Sequence, residues 1–284
     1  MATFQNRATL SLGNTVINSN VVQGEITEVL QLTKTAVRGA YVPGDTVTYA
    51  VSIRNAGTAP YTNLTLTDDL GAYTFGDTTL TPLTYVEDSV LVYENGTLQQ
   101  TPAVTAPLTI AGLTVPAGGN LLVIYSAVVN RYAPPASGST IRNTATLTGG
   151  GMTTSLTATE TITAEDSPAL TITKAICPAV ITDNGTVTYT FVIQNTGNTP
   201  VTAADEAVIA DTFETTATGL TVTYAGQPWT EGTDYTYDNT TGQFTTTGTI
   251  AVPAATYTQD TTGEWNLQPG VAELVITATG VQMR

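Results

Sequence analysis

The sequence of 284 residues contains no histidine, a single cysteine and few charged residues. Without histidine there is no Ser-His-Asp or Cys-His site for nucleophilic catalysis, and no Gly-rich phosphate loop lies between a strand and a helix pattern. Cys177 has no partner within the chain, so we expect a small buried side chain, with a bond between two chains as the alternative. We therefore predict that the chain is not an enzyme, and that it uses no cofactor and no metal.

Basic residues are also scarce: 8 Lys and Arg stand against 23 Asp and Glu, for a net charge of −15. Such a chain repels phosphate backbones and anionic lipid headgroups, and no apolar run is long enough to cross a bilayer. We predict no nucleic-acid partner and no membrane insertion. The start, MATFQNRATLSLG, lacks the basic and apolar regions of a signal peptide, so we expect either an unconventional export route or a signal removed beforehand.

What the sequence does contain favours strands. Thr, Val, Ala and Gly are abundant, and this mixture suits strands and tight turns better than helices. The length is sufficient for two domains, each with its own core. We predict an all-β protein.

An internal repeat divides the chain. Residues 32–60 (LTKTAVRGAYVPGDTVTYAVSIRNAGTAP) match residues 172–200 (ITKAICPAVITDNGTVTYTFVIQNTGNTP). Further matches align Asp68 with Asp211 and residues 119–129 with residues 271–281. The predicted domains are therefore 31–165 and 166–284. Apolar residues alternate in the best-matched strand of each repeat and predict its buried face: Val47, Tyr49, Val51 and Ile53 in the first, and Val187, Tyr189, Phe191 and Ile193 in the second.

The second repeat lacks its final hairpin. The first repeat continues through residues 139–165 as strand, Gly turn and strand, whereas the second ends before this piece. The same pattern stands at the start of the chain, where Asn6-Arg7-Ala8-Thr9-Leu10 aligns with Asn143-Thr144-Ala145-Thr146-Leu147. We predict that residues 1–30 are a donor hairpin, and we expect its contacts to come from Phe4, Asn6, Ala8, Leu10, Leu12, Val16 and Val21.

This arrangement has a physical consequence. A sandwich without its last hairpin leaves unpaired strand edges and an uncovered apolar face, while a lone hairpin is only marginally stable in water. Donation of residues 3–28 to domain two of another copy satisfies both by β-strand addition, and a head-to-tail contact that does not close a ring builds a filament. The alternatives are a frayed N-terminal tail and a hairpin that folds back on its own molecule.

The only two lysines, Lys34 and Lys174, occupy the same position in the two repeats. A lysine facing a core is costly unless it is paired or neutral. A neutral amine beside an Asn carboxamide, with a protonated Asp polarising the carbonyl, can form an amide and release ammonia. The candidate isopeptide pairs are Lys34 with Asn143, assisted by Asp68, and Lys174 with Asn6 of a neighbouring chain, assisted by Asp211; Asp69 and Glu87 are alternative acids in domain one.

The alternative is an ordinary role for these residues. Each lysine stem then lies along the sheet with its ammonium in water or paired with Asp, and the two asparagines only shape the local chain.

The segment LTKTAV…VPGDTVTYAVSIRNAGTAPYTNLTLTDDL resembles the bacterial surface repeat called domain of unknown function eleven. Its features are a Thr-Lys strand, a Gly-Asp-x-Val-x-Tyr strand, Asn-x-Gly, a Val-x-Asp strand and a closing Asn-Thr-Ala. The second repeat departs from it with DNGTVTY and with no Asn-Thr-Ala of its own. The resemblance implies tandem Ig-like β-sandwich domains in bacterial surface proteins, stalks and adhesins, some of them similar to pilin domains with Lys–Asn isopeptide bonds.

These observations predict the structural subunit of a bacterial surface fibre that polymerises head to tail as a homopolymer. The resemblance implies an extracellular location on a bacterial cell or spore, the spore surface offering an assembly route without a leader. The alternative function is a monomeric adhesin stalk or ligand-binding module, whose receptor the sequence does not identify.

Overall fold

The structure, a computed structural model, describes residues 2–26 and 28–283, without the side chains of Ala2 and Ile26. It begins with a hairpin whose four strands are β1 (Ala2–Asn6), β2 (Thr9–Leu12), β3 (Thr15–Asn18) and β4 (Val22–Ile26). In this hairpin β1 pairs antiparallel with β4, and β2 pairs with β3 across a turn at Gly13, whose φ is +59°. Neither pair joins a larger sheet in the described part of the chain. We call residues 2–26 the donor hairpin, after the role that the sequence predicts for them.

Fourteen strands then build the first sandwich, which we call domain one. They are β5 (Leu30–Ala36), β6 (Ala40–Tyr41), β7 (Thr46–Asn55), β8 (Tyr61–Asp68), β9 (Tyr73–Phe75), β10 (Thr78–Leu80), β11 (Leu83–Tyr85), β12 (Leu91–Glu94), β13 (Thr97–Leu98), β14 (Val104–Thr105), β15 (Thr109–Val115), β16 (Asn120–Val129), β17 (Thr140–Gly149) and β18 (Leu156–Ala164).

Domain one consists of two six-stranded sheets packed face to face. The first has the order β13-β12-β16-β7-β5, with β11 also paired to β16, and the second has the order β14-β15-β8-β17-β18-β6. Small or polar residues alternate with the apolar residues of β7 and face outward: Thr46, Thr48, Ala50, Ser52 and Arg54. The core lies between the sheets, and Val47, Tyr49, Val51 and Ile53 are all buried in it, as the alternation predicts.

Eleven strands and one short 3₁₀ turn (Ala203–Asp205) form the second sandwich, which we call domain two. The strands are β19 (Leu170–Cys177), β20 (Gly185–Asn195), β21 (Ala210–Thr212), β22 (Thr215–Thr216), β23 (Gly219–Tyr224), β24 (Gln227–Trp229), β25 (Tyr235–Asp238), β26 (Gln243–Thr246), β27 (Thr256–Gln259), β28 (Trp265–Gln268) and β29 (Gly270–Met283). Its core includes the predicted Val187, Tyr189, Phe191 and Ile193.

Domain two repeats the first sheet of domain one but only half of the second. Its larger sheet, β19-β20-β29-β23-β24, corresponds strand for strand to β5-β7-β16-β12-β13. Its smaller sheet, β21-β26-β25, corresponds to β8-β15-β14 and ends there. Among the described residues no strand takes the places of β17 and β18, so the side of β21 away from β26 has no partner strand.

The two domains meet at the β27–β28 hairpin of domain two, after the connecting residues 165–169. The Trp265 indole Nε1–H donates a hydrogen bond to the carbonyl oxygen of Tyr132 over 3.3 Å. Arg131 and Glu264 form a salt bridge of 2.9 Å beside it. Trp265 therefore supports this junction.

Candidate functional site

Lys34 lies in the interior of domain one and makes an ion pair there. Its position in β5 points between the sheets, and none of its side chain is exposed. Lys34 Nζ lies 2.6 Å from Asp68 Oδ2, which also accepts a hydrogen bond of 2.7 Å from the Tyr125 hydroxyl. The Leu70 backbone N–H donates to Asp68 Oδ1 over 3.0 Å. Lys34 therefore does not reach water, and both oxygens of its partner carboxylate are held.

Asn143 completes this buried cluster from β17. Its Nδ2 donates a hydrogen bond of 3.1 Å to the Tyr125 hydroxyl, so Tyr125 links the carboxamide to Asp68. Asn143 is completely buried, and its Oδ1 has no hydrogen-bond partner within the part of the chain that the structure describes. An unpaired buried carbonyl oxygen is costly. We call Lys34, Asp68, Tyr125 and Asn143 the lysine cluster.

The surroundings of the lysine cluster disfavour charge. The stacked rings of Tyr49 and Tyr125 lie beside the amine, with their centroids 4.9 and 5.8 Å from Nζ. Burial lowers the pKa of the Lys34 amine and raises the pKa of the Asp68 carboxyl, against the attraction between the two groups. A buried pair of this kind is driven towards a neutral amine and a neutral acid. These are the forms needed for attack of the amine on a polarised carboxamide.

The acid in contact with the lysine is Asp68 and neither of the alternatives. Asp69 accepts hydrogen bonds at Oδ1 from the backbone N–H groups of Gly71 and Thr144, which fixes the corner between β8 and β17. The only ion pair of Lys34 in the described chain is with Asp68.

Lys174 occupies the equivalent position in domain two but in an open site. Strand register equates the two lysines, since Lys34 pairs with Val51 and Lys174 with Phe191 at the same step of the ladder. Lys174 Nζ forms an ion pair with Asp211, and 39% of the lysine side chain and 18% of the aspartate side chain are exposed. The corresponding values for Lys34 and Asp68 are 0% and 2%. Domain two therefore contains the lysine and the acid, but its described residues do not bury the pair as domain one does.

The cover that is missing is the pair of strands equivalent to β17 and β18. In domain one β18 packs over β5, and Leu30 is buried there. On β19 the matching face remains open, and Leu170 is 45% exposed. We call this face together with the free side of β21 the acceptor groove. Its apolar and charged members on β19 are Leu170, Ile172, Lys174 and Ile176.

The donor hairpin has the face that would fill such a groove. The inward residues of β17 are Ile141, Asn143, Ala145 and Leu147, and Phe4, Asn6, Ala8 and Leu10 follow the same alternation. All the side chains described for β1, β2 and β3 are exposed, Phe4 by 54% and Leu10 by 64%. The hairpin thus presents to solvent the type of surface that β17 buries.

The register changes the predicted contact set on the second half of the hairpin. Directly paired residues of an antiparallel ladder point to the same face, and Leu10 pairs with Ile17 while Asn6 pairs with Val22. Val16 pairs with Ser11, and Val21 lies outside the strands. Ile17 and Val22 therefore share the face of Leu10 and Asn6, whereas Val16 shares the face of Ser11.

Two further expectations are wrong. Cys177 is exposed at the end of β19 and is not a buried side chain, because alternation turns it away from the face that carries Lys174. The register also shifts the match between residues 119–129 and 271–281 by one position, because Tyr125 pairs with Tyr49 while Ile276 pairs with Tyr189. Ile276 therefore stands where domain one has the phenol that links the acid to the carboxamide.

The described residues contain no group of His, Cys, Asp and Glu side chains that could hold a metal ion. None of the secondary-structure elements described is a helix long and apolar enough to cross a membrane.

No family model matches the chain, and no curated protein matches it. Several solved structures are partly similar. The major pilin subunit BcpA of Bacillus cereus is 11% identical, with a TM-score of 0.36 over 94% of this chain and 73% of that one. The pilus backbone protein RrgB of Streptococcus pneumoniae is 14% identical, with a TM-score of 0.34 over 84% and 55%. A family 123 glycoside hydrolase of Clostridium perfringens is 10% identical, with a TM-score of 0.31 over 49% and 27%.

This chain therefore spans about half of the pilus backbone protein and about a quarter of the hydrolase. The matches include pilus subunits and an enzyme at similarly low scores, so they do not assign an activity. The chain is an all-β protein with partial structural likeness to pilus subunits.

Proposed function

We propose that this protein is the structural subunit of a bacterial surface fibre in which each copy donates residues 2–26 to the acceptor groove of the next copy. The proposal depends mainly on the difference in exposure between two equivalent leucines of the same chain. Leu30 is 7% exposed under β18, and its equivalent Leu170 is 45% exposed, while the hairpin that resembles β17 and β18 stands free.

Strand addition would cover both exposed surfaces, the apolar face of the donor hairpin and the acceptor groove. The donated β1 and β2 would pair with the free side of β21, as β17 pairs with β8 in domain one. The donated β4 would cover β19, as β18 covers β5. The apolar side chains buried in this way would each contribute about 1 kcal/mol, because roughly half of their surface is still exposed. Main-chain hydrogen bonds along the new edge would add to this.

The connections favour donation to another copy over insertion into the same one. The hairpin enters β5 at Leu30, which pairs with Asn55. The chain continues from the end of β18, at Ala164, towards domain two. Ala164 pairs with Tyr41, beyond the other end of β5. The connecting residues 27–29 span at most about 10 Å when extended, whereas the ten residues of β7 span about 33 Å. The hairpin of a chain is therefore too short to reach its own acceptor groove past domain one.

The chain also contains a template for the joint. Within one molecule β18 completes domain one and runs through five residues into β19 of domain two. Between molecules the donor hairpin would complete domain two of one copy and run through three residues into β5 of its own domain one. The fibre is then a string of completed sandwiches, joined alternately within and between chains.

The proposal includes an internal cross-link in domain one, between Lys34 Nζ and Asn143 Cγ. The new C–N bond replaces the bond to the carboxamide nitrogen, which leaves as ammonia, and Asp68 relays the proton from the amine to the leaving group. The orphaned Asn143 oxygen and the low-charge surroundings of Lys34 support this reaction. Its test is the intact mass of the protein, which falls by one ammonia in the wild type and is unchanged from the calculated value in Asn143→Ala.

Complementation between two variants tests the fibre itself. Leu10→Glu places a charge on the donor hairpin, and Leu170→Glu places one in the acceptor groove; each variant alone should remain monomeric by light scattering. Mixed together they should form dimers and nothing longer, because only one joint has two intact surfaces.

Leu98→Glu is the control, since Leu98 is as exposed as these residues but lies on β13 of domain one, and it should polymerise normally. Fibres of normal length from Leu10→Glu would contradict the proposal. Monomers of the wild-type chain at every concentration would favour the stalk or ligand-binding alternative.

A further inference from the structure

Domain two holds two of the three reacting groups that domain one brings together. Lys174 and Asp211 form the ion pair that Lys34 and Asp68 form in domain one. The third group in domain one is the carboxamide of Asn143, on β17. Domain two has no strand of its own at that place among the described residues, so its site is incomplete in the single chain.

The donor hairpin supplies the missing group at the matching position. Asn6 stands two residues before Ala8, as Asn143 stands two residues before Ala145. In domain one Ala145 pairs with Asp68 on β8. If Ala8 pairs in the same way with Asp211 of the acceptor copy, the Asn6 carboxamide lies beside the Lys174 amine.

We propose that Lys174 of one copy forms an isopeptide bond with Asn6 of the copy whose hairpin it receives. This inference rests on the proposed hairpin donation and deepens it. Lys174 Nζ attacks Asn6 Cγ; the new C–N bond replaces the bond from Cγ to Nδ2, and Nδ2 leaves as ammonia with the proton that the amine has lost. Asp211 relays that proton and is unchanged at the end. No oxidation or reduction takes place, and no other reagent is required.

In the free chain the Lys174 site is open to water and contains no carboxamide from the described residues, so the reaction depends on assembly. Three rings already surround the amine, with the centroids of Tyr189, Phe191 and Phe213 at 4.8, 5.4 and 5.2 Å from Nζ. The remaining side opens to solvent, as the 39% exposure of Lys174 shows. A donated hairpin closes that side, removes water from the pair and delivers the carboxamide in one step. The covalent bond therefore forms after the hairpin has docked in the acceptor groove, and not before.

One difference from domain one bears on the geometry. Tyr125 stands between Asp68 and Asn143, but Ile276 takes its place in domain two. Without that hydroxyl, Asp211 is left to contact the Asn6 carboxamide itself.

The test compares native and denatured polymers of the full-length chain. Polymers are first measured in solution by light scattering and then boiled in detergent and separated on a gel. The wild type should give a covalent ladder, and the digested ladder should contain a branched peptide of the Lys174 and Asn6 segments that is lighter than their sum by one ammonia.

Lys174→Arg keeps a cation beside Asp211 but removes the nucleophile, and Asn6→Ala removes the carboxamide. Both variants should polymerise in solution and fall apart to monomers in detergent. Asn18→Ala, elsewhere in the hairpin, should give the wild-type ladder.

Wild-type polymers that separate completely into monomers in detergent, with no branched peptide after digestion, would overturn the cross-link and leave hairpin donation standing. Ladders that persist in Lys174→Arg would also overturn it. Absence of wild-type polymers in solution would be a failure of hairpin donation itself, which the light-scattering step detects before any denaturation.

Discussion

Leu170→Glu is the change that best separates folding from assembly. Leu170 lies on the open face of β19, 45% exposed, and is not part of the buried core of domain two. A charge there remains in water in the free chain, so we expect the unfolding free energy of the monomer to change by less than about 1 kcal/mol.

The effect on the joint is much larger. Burial of the exposed half of Leu170 would contribute about 1 kcal/mol, and an unpaired carboxylate enclosed in its place costs several kcal/mol more. The total, at least about 4 kcal/mol, weakens association about a thousandfold.

The assay follows mean polymer length by light scattering and electron microscopy over a concentration series, together with urea unfolding of the monomer. Leu30→Glu is the matched variant, because Leu30 occupies the same position in domain one under β18. There the charge is buried on folding, so domain one itself should be destabilised by several kcal/mol. The reasoning is refuted if Leu170→Glu polymerises at wild-type concentrations, or if it unfolds domain two as Leu30→Glu unfolds domain one.

Three further predictions follow from the buried pair, the domain junction and the cysteine. Lys34→Met removes the partner of Asp68 and with it the proposed cross-link, and should destabilise domain one by about 1–3 kcal/mol. Because burial raises the pKa of Asp68, the folded state keeps a proton that the unfolded state releases, so urea unfolding should show stability that falls as the pH rises above about 4; a flat profile would contradict this. Trp265→Ala removes the hydrogen bond to Tyr132 and should speed proteolysis of the connecting residues 165–169 while leaving core hydrogen exchange unchanged; equal cleavage rates would show that the junction does not depend on it. Cys177 should react with a thiol reagent equally in monomers and polymers, because it points away from the acceptor groove; protection on polymerisation would show that the wrong face of β19 is covered.

Much of the fold could be predicted from the alternation of residue types. The inward residues of β7 and β20 are the predicted ones, because a strand packed on one side must alternate with a period of two. The hairpin at residues 140–164 could be predicted from its Gly turn, and the first hairpin could be recognised from its likeness to it. Local pattern was sufficient in these places because the side chains and the turn that define each element are close in sequence.

The strand register, and the face of the strand to which each side chain points, could not be predicted in the same way. Val16 and Val21 have the composition of contact residues, but the pairing of Leu10 with Ile17 and of Asn6 with Val22 places other residues on the apolar face. The replacement of Tyr125 by Ile276 also depends on a one-residue shift that sequence matching does not detect. A slip of one residue reverses every side chain of a strand, so such details depend on which hydrogen bonds form.

The sequence alone indicated a β protein of two repeats whose first hairpin resembles the one at residues 140–164, because hydrophobic period and repeat order are properties of the linear chain. It also showed that the two lysines are equivalent. Only the tertiary structure decided that they are not in equivalent states: Lys34 is enclosed with Asp68, Tyr125 and Asn143, whereas Lys174 stands half open beside Asp211. The physical reason is that burial depends on a strand distant in sequence, which domain one has in β18 and which no described residue supplies to domain two.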